Sequence, residues 1–573
     1  MPAPGLVVAV DIGTTGVKAA AVDAAGVSHG AADREYPTHS PHPGWAVQDP
    51  DVVAGSSAAA VGEALAKAGA AGKPVAGVAF SGAMHSLLAL AGDGTPLTPS
   101  VTWADGRAGA QAQALRDSGE WLALHRRTGT PVHPMSPLVK LVWFREHAPD
   151  VWRRAAHWVG IKDYVLFRLT GVLAVDESTA SATGLYGLAA RDWDAKALDL
   201  VGLGREQLPV LHATTDVVAR LGADVATWGL PAGTPVVAGA SDGVLANLGV
   251  GGVAPGVAAC SIGTSAAIRG VVRAPSVDDQ GRVFCYVLVP GRWVVGGATN
   301  NGGNVLRWLG RVAGAELADP DAELTELAAT VPPGAEGLLM LPYLSGERAP
   351  RWAGAPAGAF LGLTQRHARA HLARAALEGV CLQLALVLEA MRAAGLELAE
   401  VRATGGFARS PFWRQLLADV LGAPIGFPAS EQGSAMGAAL LGHVALGHLP
   451  SVDAAAALVR VTEVVHPDDD AARFYAGCCR RSPRPRRRRR PTAGARGRRG
   501  RAGFWRILPW PEPRPAPAPR PAWPPAPGRA AGTRPPGPPV PGGRGCGAGS
   551  TPGTLPLVRR PIVGRAPRTG RAA

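Results

Sequence analysis

The segment Asp11-Ile-Gly13-Thr14-Thr15-Gly-Val-Lys18 gathers a carboxylate, two hydroxyls, two glycines and a lysine within eight residues. Those types suit a metal-bound polyphosphate. Glycines let backbone amides approach, hydroxyls donate hydrogen bonds, Lys18 supplies charge, and Asp11 can hold Mg²⁺ directly or through water. Ser261-Ile-Gly263-Thr264-Ser265 repeats the glycine and hydroxyl pattern, as a second phosphate clamp would. Asp242 follows the strand-like run Pro235-Val-Val-Ala-Gly239 and precedes a helical stretch. Open α/β sheets bind ligands at that edge, so Asp242 is a candidate general base, with helix N-capping as the alternative. Thr404-Gly405-Gly406-Phe407 follows another short run and offers backbone to a base or ribose. No G-x-x-x-x-G-K-[ST] pattern occurs, and Gly249-x-Gly251-x-x-Ala254 follows a helical stretch, which argues against a dinucleotide fingerprint.

These groups need elements to position them. The apolar runs Leu6–Val10 and Val17–Val22 flank the first turn and predict a β-hairpin. Strand-like and helical stretches alternate over residues 6–245, among them the strand Pro74–Phe80. A second such block spans 246–478, with a strand at Arg292–Gly296 and an amphipathic helix from about Ala368 to Arg392. The fold class is therefore α/β, with two domains, 1–245 and 246–478, and a cleft between them.

Composition limits the partners. The 573-residue chain carries a net charge of +14, but residues 480–573 hold 23 Arg, no Lys and one acidic residue, Glu512, a net +22. The remaining 479 residues are thus mildly acidic, at −8, and the basic isoelectric point says nothing of nucleic-acid binding by the folded part. The tail 479–573, with 22 Pro after residue 479, has no apolar periodicity and is expected to be disordered. It reads as a basic arm for nucleic acid, as a solvated tail, or as out-of-frame translation of GC-rich DNA, which the lack of Lys favours. Six scattered cysteines show no zinc spacing and fit a reducing, cytoplasmic setting. No secretory signal and no apolar run of membrane-spanning length is read from the chain.

Two longer stretches resemble signatures of the FGGY carbohydrate kinases. They are Met135-Ser-Pro137-Leu-Val-Lys140-Leu-Val-Trp143-Phe-Arg-Glu146-His147, and Gly358-Ala-Phe360-Leu-Gly362-Leu363 followed by His371-Leu372-Ala-Arg-Ala-Ala-Leu377-Glu378. The resemblance spans about residues 6–475 and implies the two-domain, RNase-H-like architecture shared by sugar kinases, actin and Hsp70. It implies that Asp11, Gly13, Thr14, Thr15 and Lys18 contact Mg-ATP, with Asp11 toward Mg²⁺. Gly263, Thr264 and Ser265 would form the second phosphate loop, with Asn301 and Gly302 also at the nucleotide. Gly405, Gly406 and Phe407 would lie beside the adenosine, and Asp242 would deprotonate the sugar hydroxyl.

For the acceptor, Ser81-Gly-Ala-Met84-His85-Ser86 and Trp103-Ala-Asp105-Gly-Arg107 resemble the family's sugar loops, which makes Met84, His85, Trp103, Asp105, Arg107 and His133 the substrate candidates. Gly129-Thr-Pro-Val-His133-Pro-Met-Ser136 and Gly346-Glu-Arg348-Ala-Pro350 look most like gluconokinases, so D-gluconate is the expected substrate and a small sugar acid the expected partner. A xylulokinase is the alternative, and a non-catalytic sensor binding nucleic acid through the tail is the alternative of another class. Arg107, Lys140, His133 or Arg348 could meet an anionic acceptor, with a packing role favoured for Lys140 and a site role for Arg107. A homodimer is compatible with the resemblance. Three departures stand out: Gly16 where relatives commonly carry Ser, the apolar loop near 353–358, and Phe474-Tyr475 followed by Cys478-Cys479 in place of the family's helical ending.

Overall fold

The computed structural model describes residues 5–69, 72–222, 228–313, 318–352, 357–429 and 433–480. The expected tail and loop residues 353–356 lie outside them. In the N-terminal half, strands β1 (Leu6–Ile12), β2 (Gly16–Val22), β3 (Ser28–Glu35), β4 (Val75–Gly82), β5 (Val217–Arg220) and β6 (Pro235–Ser241) form one sheet in the order β5-β6-β4-β1-β2-β3. The β1-β2-β3 meander is antiparallel, and β4 and β6 run parallel to β1. All seven residues of β1 are buried, as its unbroken apolar run requires of a strand covered on both faces.

The alternation of that strand assigns its two faces. Leu6, Val8, Val10 and Ile12 pack toward α1 (Pro50–Ala68), while Val7, with Ala79 and Val237, packs against Ala445 and Leu446 on the other side. The Asp49 side chain caps α1, and Pro50 starts it, where a missing N–H costs nothing. Next come α2 (Pro137–His147), α3 (Ile161–Thr170) and α4 (Asp242–Gly249), the last beginning where β6 stops.

The second half repeats the plan. Strands β7 (Val257–Ile262), β8 (Ala266–Val272), β9 (Phe284–Val289), β10 (Arg292–Thr299), β11 (Glu400–Thr404), β12 (Ile425–Pro428) and β13 (Val461–Val465) order as β9-β10-β8-β7-β11-β12-β13. Again an antiparallel set, β7-β8-β10, is joined by parallel strands, β11 and β12, on the other side of its first member. Its helices include α5 (Gly303–Ala313), α6 (Arg369–Ala393), α7 (Pro411–Leu421), α8 (Gly433–Ala445) and α9 (Asp469–Arg480). The fold class and the first hairpin match the sequence expectations.

By length and composition α6 could cross a membrane, but 72% of its most apolar 18-residue stretch is buried inside the protein. One expectation needs correction. The departure inferred at Phe474-Tyr475 is not one: the chain remains helical to Arg480. Tyr475 is 1% exposed, its hydroxyl donates to Glu378 Oε1 at 2.6 Å, and Arg374 donates to that hydroxyl at 2.8 Å.

Candidate active site

The first turn is held from outside itself. Tyr36 donates its hydroxyl to the Gly13 carbonyl at 2.6 Å, Gln48 donates to the Thr14 carbonyl at 2.6 Å, and Trp103 Nε1 donates to Thr14 Oγ1 at 2.8 Å. Asp11, at the end of β1, accepts from Ser81 Oγ and from Ser434 Oγ, both at 2.6 Å. Thr15 and Lys18 are exposed, leaving the hydroxyl and the ammonium available. Sequence reasoning found the turn but not Ser434, which lies 423 residues away and carries no local signal.

Asp242 opens α4 beside this turn. Burial and the neighbouring Asp11 charge push its carboxyl up to about 6, against the pull of the Arg269 guanidinium and of the Gly243 and Met84 amides. Asp242 Oδ1 accepts from the Gly243 amide at 2.6 Å. A carboxyl in this position takes up a proton near neutrality, as general-base chemistry requires. It lines a cavity of about 210 Å³ whose N-terminal wall includes Thr14, Met84, His85 and Trp103, and whose C-terminal wall includes Ser261, Ser265, Arg269, Arg348 and Trp352.

His85 holds a left-handed backbone conformation, φ 66°, and its carbonyl accepts from Lys140 Nζ at 2.5 Å. Burial and the Lys140 charge hold its imidazole down to about 3, so the ring is neutral and its Nδ1–H can donate to the Ala182 carbonyl 2.8 Å away. Lys140 also donates to the Thr102 carbonyl at 2.8 Å and is fully buried, which confirms the packing role favoured for it. Burial and the Arg348 charge likewise hold His133 down to about 3. His133 is not in the cavity wall but packs edge-on against Trp352, with 6.0 Å between ring centroids.

On the opposite wall the second turn meets the start of α5. The Gly303 amide donates to the Gly263 carbonyl at 2.7 Å, and a side chain at Gly302 would lie 2.7 Å from the Ser265 backbone. The first amides of α5 are thus spent on that turn, with the Asn304 amide donating to the Thr264 carbonyl at 3.3 Å, so α5 braces the glycine and hydroxyl turn from behind. Thr264 Oγ1 accepts from Arg307 at 2.8 Å. Gly405, φ 111°, sits where a Cβ would come within 2.3 Å of the Ile262 carbonyl, so only glycine lets the end of β11 approach the second turn. Gly406 is exposed beside it.

Several expected contacts turn inward instead. Asp105 and Arg107 pair at 2.7 Å with side chains 0% and 1% exposed; Asp105 also accepts from the Ala46 amide at 2.7 Å, and Arg107 stacks 3.6 Å over Trp45. An acid and a base two residues apart satisfy each other once aromatic rings shield them, so neither reaches the acceptor cavity. Asn301 is buried, donating to the Gly346 carbonyl at 2.8 Å and accepting from the Ser345 amide at 3.1 Å; it shapes the loop before Arg348 rather than facing a nucleotide. Phe407 is 4% exposed, packed with Trp413 and Phe427 in the core. Conversely, Arg269 was missed, although a lone arginine in the apolar run Ala266–Val272 was a usable signal.

Comparison with known proteins decides the family. The model of the N-terminal domain of the FGGY family of carbohydrate kinases matches residues 6–249, and that of the C-terminal domain matches residues 258–446. The chain belongs to the FGGY family of carbohydrate kinases. Among FGGY relatives, the gluconokinase of Bacillus subtilis is 38% identical over 476 residues, covering 81% of this chain and 92% of that protein. A xylulose kinase of Staphylococcus epidermidis is 30% identical over 474 residues, covering 82% and 94%. The solved gluconate kinase from Lactobacillus acidophilus superposes with TM-score 0.79 at 33% identity, covering 83% of this chain and 96% of that one. The xylulose kinase from the same organism gives 0.80 at 32%, with the same coverage. The cleft described above is thus that of an FGGY carbohydrate kinase.

Proposed function

We propose that this kinase transfers the γ-phosphoryl group of ATP to the terminal hydroxyl of D-gluconate, giving 6-phospho-D-gluconate and ADP. The observation that carries the reading is Asp242, a half-buried carboxyl with its pKa raised to about 6, placed in one cavity between two glycine and hydroxyl turns. The acceptor is supported by the 38% identity to a gluconokinase. Thr14, Thr15 and Lys18 on one side, and Gly263, Thr264 and Ser265 on the other, hold the phosphates. Gly405 and Gly406 lie beside the nucleoside. Asp242 takes the proton of the attacking hydroxyl as its oxygen bonds to phosphorus and the bond to the ADP oxygen breaks. Positioning and charge neutralisation supply most of such catalysis.

No cluster of three or more acidic, His or Cys ligands exists among the described residues. That fits a Mg²⁺ held by one carboxylate and by the substrate's own phosphates, the usual mode for this ion. Asp11 is the residue for it: its two hydroxyl partners fix the carboxylate and leave lone pairs free. When bound, the ion neutralises charge on the β- and γ-phosphates. Three buried free thiols, Cys260, Cys285 and Cys381, support a reducing, cytoplasmic setting.

An ADP-release assay over gluconate, xylulose, ribulose and glycerol tests the reading. The expected result is a kcat/KM for gluconate at least tenfold above the others. Preference for xylulose replaces gluconate as the substrate, and no turnover on any acceptor removes the kinase reading.

A further inference from the structure

The cavity beside Asp242 is lined by more positive than negative charge. Its wall contains one carboxylate, Asp242, and two guanidinium groups, Arg269 and Arg348. The neighbouring carboxylate, Asp11, lies behind the first turn, held by Ser81 and Ser434, and neighbouring cations add nothing to the wall. Lys140 is spent on the His85 and Thr102 carbonyls, and Arg107 is paired with Asp105. The imidazoles of His85 and His133 are neutral.

The two guanidinium groups are under-bonded. Arg348 is 8% exposed and uses one nitrogen to donate to the Thr299 carbonyl at 2.9 Å, while its Nε is buried without a partner among the described residues. Its plane lies 4.5 Å from the Trp103 ring, which fixes its orientation. Arg269 Nε is likewise buried and unpartnered. Its guanidinium lies against Gly243, where a Cβ would stand 3.3 Å from Nε and 3.4 Å from Nη2. That Cβ would also stand 2.6 Å from Met84 Cε, so the glycine next to Asp242 makes room for both side chains. Leaving two buried guanidinium groups short of acceptors costs free energy that an incoming anion returns.

We infer that Arg269, with Arg348 as a second arm, holds the carboxylate of the acceptor and sets the preference for a sugar acid over a neutral polyol. The inference rests on the sugar-acid reading above. A planar guanidinium matches a carboxylate with paired N–H donors, and a second one from another element fixes the orientation of the carbon chain. Trp103 offers a flat surface to the carbon chain, and its bond to Thr14 ties that surface to the phosphate turn.

The test compares D-gluconate with D-gluconamide, its neutral amide, using the full-length protein with ATP and Mg²⁺. Wild type is expected to favour gluconate by about 100-fold or more in kcat/KM. At pH 8, above the Asp242 pKa of about 6, Arg269→Gln lowers kcat/KM for gluconate by roughly 100-fold, mainly through KM, and lowers that for gluconamide by at least tenfold less. Arg348→Gln acts in the same direction with a smaller loss, and Arg269→Lys restores part of the preference. Equal losses on both acceptors, or an undiminished preference in the variants, overturn the clamp while gluconate turnover by wild type keeps the sugar-acid reading. Wild type that phosphorylates xylulose and not gluconate overturns the reading and the clamp together. Melting curves identify any variant that does not fold, and Arg269→Lys and Arg348→Gln then decide.

Discussion

Each half of the molecule ends its first strand in nearly the same words: Asp11-Ile-Gly-Thr-Thr15 in one, Ser261-Ile-Gly-Thr-Ser265 in the other. The sheets around these turns share a plan, and both turns close on a glycine amide, Gly13 to the Gly16 carbonyl at 3.0 Å and Gly263 to the Ser265 carbonyl at 2.9 Å. The charges differ. The N-terminal half brings the carboxylates Asp11 and Asp242, whereas the C-terminal half brings a neutral turn and the cations Arg269 and Arg348. A repeated backbone thus provides two places where a phosphate can approach, and the residue before the turn decides which one also carries negative charge. A third carboxylate at 261 would repel the polyphosphate that two turns are built to hold.

The strongest way to break this division is Asp242→Asn. Phosphoryl transfer should fall by about 1,000-fold or more with ATP binding retained, measured as kcat and as nucleotide affinity. Turnover close to wild type would remove Asp242 from the base role. In wild type, kcat/KM should fall as pH drops through about 6, because protonation removes the base. Stability runs the other way. A carboxyl whose pKa is raised by folding binds its proton more tightly in the folded state, so its charging costs stability as pH rises from about 4 through 6. Asp242→Asn should therefore raise Tm at pH 8 and not at pH 4, by at most about 3 kcal/mol of stability.

Ser261→Asp makes the second turn imitate the first. We expect KM for ATP to rise by about tenfold, with less effect on the acceptor, since two unit charges near a protein surface interact by a few kcal/mol. An unchanged nucleotide affinity would mean that charge at the second turn does not matter. The smallest effect sharpens the comparison at the strand starts. The second turn is followed by Ala266, but a Cβ at Gly16 would lie 2.5 Å from the Arg34 carbonyl. Gly16→Ser should thus lower stability by about 1–3 kcal/mol, read by denaturant melts, rather than improve nucleotide binding. The glycine at this position answers to β3 and not only to phosphate.

Much of this was legible in the sequence because the informative residues are local. Two apolar runs around a Gly/Thr turn define the first hairpin, and a carboxylate at the end of the run Pro235–Gly239 defines the place of Asp242. What the sequence conceals is which way a polar residue faces. Asp105 and Arg107 look like a site and close on each other; Asn301 and Phe407 sit in motifs yet serve a loop and the core. Arg269 looks like part of a strand and opens into the cavity. Orientation of this kind depends on packing between distant segments, for which adjacent residues carry no record.

The contact from Ser434 to Asp11 has a consequence for how the protein is made. Helix α8 follows all but the last strand of the second half, yet it packs on β1 and β4 of the first, with Gly442 so close that a Cβ there would meet Val7 at 2.6 Å and Ala79 at 2.9 Å. A nascent chain folds from its N-terminus as it leaves the ribosome. The first strand is among the earliest segments to emerge, but its outer face stays uncovered, and its aspartate lacks one of its two hydroxyl partners, until more than 400 further residues have been added. The phosphate turn is therefore completed only after most of both halves has been made, and a chain released before α8 would have the strand that bears Asp11 without the helix that completes it.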